Sequence, residues 1–253
     1  MLKALKTDTV VTAVRARPCR AVTIVSMTTG WLHSIACTGL LMLASRSHAA
    51  GGHFDVDDAA VLAPGRCQYE AWFVHAPTAS ASVWHLGPGC RLGPVEVALN
   101  IDRVNTAAGH RDILGPQLKW ATDPALGPVS VGLVAAAAFD TTHGGRAALT
   151  LHAPLTWNLD EAVALNLNLG VDRDAAGRRT RRQGVSAEWV LNDLLTVLAE
   201  RIKFGGEWTS RLGSRFTLSD ALSIDLSAAR VGPRAARVFA VGLNHEFGRE
   251  FGR

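Results

Sequence analysis

The amino-acid sequence predicts an all-β fold, a transmembrane antiparallel up-and-down β-barrel of about twelve strands. Three observations predict it: an export-type leader, serial apolar/polar alternation over residues 67–247, and an even number of such segments separated by turn-forming residues. The final segment shows the pattern most plainly. Phe239, Val241, Leu243 and Phe247 share one parity, and Ala240, Gly242, Asn244 and Glu246 the other. That is the alternation of a strand with lipid on one side and water on the other.

The leader comes first. Lys3, Lys6, Arg15, Arg17 and Arg20 precede an apolar run from Ile35 to Ala44, and Ser47-His48-Ala49 follows it. A basic stretch, an apolar stretch of roughly 7 to 15 residues and a small-x-small end make a signal peptide over residues 1–49. The apolar run is half as long as the roughly 20 residues a helical span needs. Met27 is a second candidate start, and Cys37 lacks the Leu that a lipobox would place at Ser34. Six of the 26 Lys and Arg and one of the 22 Asp and Glu precede Ala50, which leaves 20 basic against 21 acidic groups. The basic balance belongs to the leader and does not argue for nucleic acid.

Residues 50–66 read as a periplasmic N-terminal segment, and the barrel follows over 67–247, with 248–253 as a short tail. Its weakest pair is 67–76 with 79–87. Stronger segments run through Val95–Ile101, Leu114–Trp120, Val129–Asp140, Leu149–Trp157 and Val163–Val171. Val185–Leu191, Leu195–Glu200, the region 207–218, Leu222–Ala228 and Val238–Phe247 complete the series. One alternating segment proves little, because any half-buried strand alternates. Eight or more in series, with small and charged residues on the second face, do not suit a soluble sandwich.

With the N-terminus in the periplasm, the even connections are expected to be short: Gly87-Pro88-Gly89, Asp123-Pro124, Leu159-Asp160, Asn192-Asp193 and Ser219-Asp220. The later odd connections are expected to be longer, around 105–110, 141–146, 172–183, 204–208 and 231–237. If the first hairpin turns at Pro77-Thr78-Ala79-Ser80, opposed residues have numbers summing to 157, so Cys67 faces Cys90. Both lie at the periplasmic end, and an oxidising compartment predicts a disulfide between them.

Arg211 to Ser227 (R-L-G-S-R-F-T-L-S-D-A-L-S-I-D-L-S), Val241 to Phe247 (V-G-L-N-H-E-F) and Val185 to Glu200 resemble the outer-membrane proteins grouped under "meta-pathway of phenol degradation". The resemblance covers roughly the last 70 residues. It implies a bacterial outer-membrane channel or uptake protein for small aromatic or hydrophobic molecules. One departure is that such barrels usually end at the terminal aromatic, whereas six residues follow Phe247 here. Phe247 would then be the signal read by the barrel-assembly machinery.

If the apolar parity faces lipid, the lumen receives Glu96, Asn100, Asp102, Gln117, Lys119, Asp140, His152, Asn166, Asn168, Glu188, Glu200, Arg215 and Asp225. Acids dominate this set, so a conducting lumen is expected to favour cations or neutral solutes. Two states of the lumen stay open: a side-chain-filled interior of paired groups, in a non-conducting structural or lipid-binding barrel, and a narrow water-filled pore. His152 has the polar parity of its strand and Ser130, Ser186 and Ser227 lie on the polar faces of other strands, the ingredients of a lipid-modifying barrel enzyme, but G-x-S-x-G does not occur and no enzyme is expected. No zinc signature, phosphate-cradling loop or nucleic-acid module is present, so no metal or cofactor is expected. Arg173, Arg178, Arg179, Arg181 and Arg182 form a basic cluster expected in an outer loop, either solvated or in contact with lipopolysaccharide phosphates.

Overall fold

The computed structural model describes residues 52–123 and 126–248. The signal peptide expected over 1–49 and the tail beyond Gly248 lie outside the described residues.

The strands are β1 (Arg66–Ala76), β2 (Ala81–Leu92), β3 (Val95–Thr106), β4 (Gly109–Ala121), β5 (Val129–Asp140) and β6 (Ala148–Asn158). They continue with β7 (Val163–Arg173), β8 (Arg179–Val190), β9 (Leu195–Phe204), β10 (Glu207–Ser219), β11 (Leu222–Val231) and β12 (Ala236–Gly248). Each pairs antiparallel with its sequence neighbours, and β1 closes on β12, with Arg66 opposite Gly248 and His75 opposite Phe239. Closure leaves no strand edge, which is the condition for a sheet to stand in lipid.

Parity sorts the side chains as the sequence predicts. Leu118, Leu133, Leu151, Leu167, Trp189 and Leu226 are exposed on the outside, and Leu99 is half-buried on the same face. The buried groups are largely polar: Asn168 and Asp225 are 0% exposed. A soluble protein rarely exposes so large a contiguous apolar surface. An apolar belt around a polar interior is the distribution for a barrel solvated by lipid. Leu167 sits mid-strand in β7, so Leu167→Arg should destabilise the barrel by roughly 2–4 kcal/mol if that level is the bilayer midplane. Urea unfolding in lipid vesicles measures this; an unchanged midpoint would place Leu167 away from lipid.

The hairpin register gives Cys67 opposite Cys90, and the two form a disulfide with Cα atoms 4.0 Å apart. That same register corrects one expected turn. Gly87-Pro88-Gly89 lies inside β2, paired with Glu70, Tyr69 and Gln68, because a strand holding Cys90 opposite Cys67 must run past residue 90. The turn falls at residues 93–94 instead.

The expected asymmetry of connections is also corrected. Residues 107–108, 205–206 and 232–235 connect strands as briefly as 159–162 and 191–194 do at the other end, 174–178 is one residue longer, and the longest far-end connection, 141–147, is matched by 122–128. Strands persist where a loop was expected over 172–183, because Asp172 pairs with Thr180 and Arg173 with Arg179. The two ends are therefore named here by the chain: the terminal end, with Arg66, Gly248 and the disulfide, and the far end.

Candidate functional site: a lumen shared by the N-terminal segment and a chamber

The residues expected to precede the barrel as a periplasmic segment do not stand beside it. They thread into it. Gly52 lies against Asp225 and Asn244, residues 55–57 reach the middle of the wall, and Leu62 returns to Glu96 near the terminal end. The segment cannot form its own secondary structure ladder, so its backbone N–H groups must be satisfied by the wall. Asp55 and Val56 donate to Glu200 (3.0 Å each at closest), Asp57 to Asn168 (2.8 Å), Ala59 to Thr156 (2.8 Å) and Leu62 to Glu96 (3.1 Å). The Leu62 carbonyl accepts from Arg91 at 2.8 Å.

Side chains fasten the same path. Asp55 meets Arg211 (2.7 Å), Asp57 meets His152 (2.6 Å) and Asp58 meets Lys119 (2.8 Å). Between these acids, Val56, Ala59 and Leu62 are fully buried. Room for them comes from wall glycines: a Cβ at Gly184 would stand 2.9 Å from Val56 Cγ2, and one at Gly213 2.8 Å from Phe54 Cζ. Burial, with the Arg211 charge next in weight, pushes the His53 imidazole down to about 4, and it shares a 2.6 Å hydrogen bond with Ser227. Burial alone would raise the Asp57 carboxyl. The His152 hydrogen bond and the Lys119 charge instead hold it below its usual range.

The segment crosses the lumen from Gly213 and Gly184 past His152, Thr156 and Lys119 to Glu96. On the β1–β6 side a chamber of about 380 Å³ remains. Its wall carries the carboxylates of Asp55, Asp57, Glu70, Glu96 and Asp102, against two permanent cations, Lys119 and Arg182. Trp72 and His85 stack there with centroids 4.2 Å apart and planes 4° apart, and His85 Nδ1 lies 2.6 Å from Asp102.

Of the residues read as lumen-lining, Glu96, Lys119, His152, Asn166, Asn168, Glu200, Arg215 and Asp225 are buried inside the wall. Asp102 and Glu188 are half-buried there. Arg215 grips Asp225 by two 2.8 Å hydrogen bonds, and Asn166 bridges Thr156, Ser186 and Glu188. Asp140 departs from the expectation: at the far rim it accepts the backbone N–H groups of Thr142 and His143, capping the turn after β5.

The basic cluster divides. Arg182 turns inward to Asp172 at 3.0 Å and lies over the Phe204 ring. Arg178 pairs with Asp174 across the turn, and Arg173, Arg179 and Arg181 are exposed on the outer face of the far rim.

His152 spends its Nε2 on Asp57 and meets none of the three serines considered. His53 and Ser227 form a Ser–His pair, but His53 Nδ1 has no hydrogen-bond partner among the described residues, so no third group orients it.

Sequence reasoning missed Arg211, which shares the parity of Arg215, and Arg182, set aside as a loop residue. It also missed Glu70, Trp72 and His85 in the weak first pair. The segment itself carried a signal, three aspartates interleaved with Val56, Ala59 and Leu62 just before β1.

A closed twelve-strand antiparallel barrel with an apolar belt and a polar, partly filled lumen is the architecture of a membrane-type β-barrel. A family model described as "Uncharacterised conserved protein UCP029691" matches residues 39–244, and the chain belongs to that family. Solved structures agree on the fold. The KdgM porin covers 72% of this chain and 99% of its own at TM-score 0.58 and 8% identity, and the KdgM porin in complex with disordered oligogalacturonate gives 0.56 at 8%. The NanC porin gives 0.52 at 9%, over 71% of this chain and 98% of its own. No curated protein matches the chain in sequence. The phenol meta-pathway resemblance is not confirmed by these matches; the twelve-strand barrel fold it implies is the fold of these neighbours.

Proposed function

We propose that the protein is an outer-membrane channel or uptake protein for small solutes, with a lumen narrowed by its own N-terminal segment. The observation that carries this is the chamber left between that segment and β1–β6. Its size falls in the range of small-molecule sites. Five carboxylates against two Lys or Arg make cations and neutral molecules its preferred occupants. Ile113, Val134 and a group of alanines give the same chamber an apolar side, which supports solutes with an aromatic or hydrophobic body. An oligogalacturonate-like chain of carboxylates, as in the KdgM complex, would meet like charge here.

Residence in the outer membrane follows on this reading, with insertion by the barrel-assembly machinery. Arg173, Arg179 and Arg181, outward at the far rim, suit lipopolysaccharide phosphates. A second reading, a non-conducting barrel, is favoured by the ion pairs that hold the segment inside the wall.

Planar-bilayer recording in a salt gradient tests the proposal. The expected result is a small conductance with a reversal potential of cationic sign. Anion selectivity would overturn it. Silence both in the intact chain and after removal of the segment would establish the non-conducting reading.

A further inference from the structure

Resting on the reading that solute enters the chamber, we infer that the chamber is a binding site for a small organic cation, an amine carrying a compact apolar or aromatic body. The argument begins with how its charges are already committed. Lys119 is held by Asp58 and Arg182 by Asp172, neither of which lines the chamber. Asp55 and Asp57 are taken by Arg211 and His152, and Asp102 by His85. Glu70 and Glu96 remain: Glu70 accepts the backbone N–H of Gly52 and Glu96 that of Leu62, while Lys119, opposite Glu96 in the strand register, spends its hydrogen bond on Asp58.

Both approach one point. Gln68 Nε2 stands 3.3 Å from Glu70 Oε1 and 3.5 Å from Glu96 Oε1, long contacts for a neutral amide. Glu96 is 5% exposed. Two neighbouring carboxylates whose nearest cation is bonded elsewhere are only partly compensated, and an ammonium with three N–H donors satisfies both where the amide does so weakly.

The rest of the chamber suits the body of such a molecule. Trp72, stacked on His85, presents an aromatic wall beside the carboxylates, and a ring quadrupole favours a neighbouring cation. Ile113 and Val134 supply apolar surface, and Gly115 and Ala136 supply the space. A free anion finds neither feature. Each cation that reaches the chamber is already bonded.

Titration of the folded full-length protein in a neutral detergent tests the inference, with benzylamine hydrochloride as the probe and benzyl alcohol and benzoate as equal-sized controls. Calorimetry should show saturable binding of benzylamine, absent from empty micelles and about tenfold tighter than benzyl alcohol, the contribution of one hydrogen bond between ionised partners. Trp72→Phe should remove the accompanying tryptophan fluorescence change. Glu70→Gln should abolish the preference for the amine over the alcohol.

If Glu70→Gln fails to fold, Ala136→Leu fills the chamber without altering its charge, and it should abolish binding of both molecules. Benzoate or the alcohol binding as tightly as the amine, or amine binding unchanged in Ala136→Leu, would overturn the inference. A barrel that conducts cations but shows no saturable amine binding would overturn it while leaving the channel reading intact; one that neither conducts nor binds would remove both.

Discussion

Deleting residues 53–61 should raise single-channel conductance several-fold and leave the barrel folded. The twelve strands hydrogen-bond to one another without the segment, and the wall groups it now satisfies would be met by water. Gly184→Leu should have the same effect without shortening the chain, because its side chain would need the space held by Val56. Acid should act in the same direction. His53 faces Arg211, Arg215, Asp225 and Ser227 from β10 and β11. Its docked pKa of about 4 lies below the ordinary 6.5, so an undocked segment takes up a proton that the docked one refuses. Docking is therefore fully stabilised above 6.5 and weakens as pH falls through the window from 6.5 towards 4. Asp57, held below its usual range, keeps its bond to His152 across that window. Bilayer recordings at pH 7 and pH 4.5 check this: openings should be more frequent at the lower pH in the native chain, and His53→Gln should remove the difference. Equal conductance with and without residues 53–61 would show that the segment does not limit the pore.

How much of this was legible in the sequence follows from what each feature depends on. Strand parity is a local property, so Leu118, Leu133 and Trp189 on the outside and Glu96, Lys119 and Asp225 on the inside could be assigned from alternation alone. The disulfide followed from one hairpin register. Turn positions were less legible, because Gly87-Pro88-Gly89 has turn composition but is held in β2 by its pairing with β1. Loop length also failed, since the strands at 172–183 are polar on both faces near the rim and give no alternation to read. The segment over 52–65 was illegible for a different reason: its conformation is set by partners 29 to 174 residues away, from Arg91 to Ser227. No local pattern specifies such contacts.

Arg211→Met should destabilise the protein by about 3–5 kcal/mol, the cost of breaking a buried ion pair by removing one partner. Arg211 Nε donates to Glu200 at 2.8 Å, Nη2 to Asp55 at 2.7 Å and Nη1 to Ser227 at 3.2 Å, so one guanidinium ties β9, β11 and the inner segment to β10. The Glu200 side chain is 1% exposed. It also accepts the backbone N–H groups of Asp55 and Val56, and it cannot turn to water without releasing the segment. Methionine fills the space of the stem and removes only the charge and its donors. Lysine restores the charge but not the planar fork, and so should recover part of the loss. Urea unfolding followed by tryptophan fluorescence reads the stability, and proteolysis at residues 53–61 reads whether the segment has left its seat. Adding Glu200→Gln to Arg211→Met should return a substantial share of the stability, because the unpaired buried charge disappears with it. A double variant as unstable as Arg211→Met alone would show that the loss comes from packing around the stem, and a single variant within about 0.5 kcal/mol of the native chain would show that this ion pair does not anchor the segment.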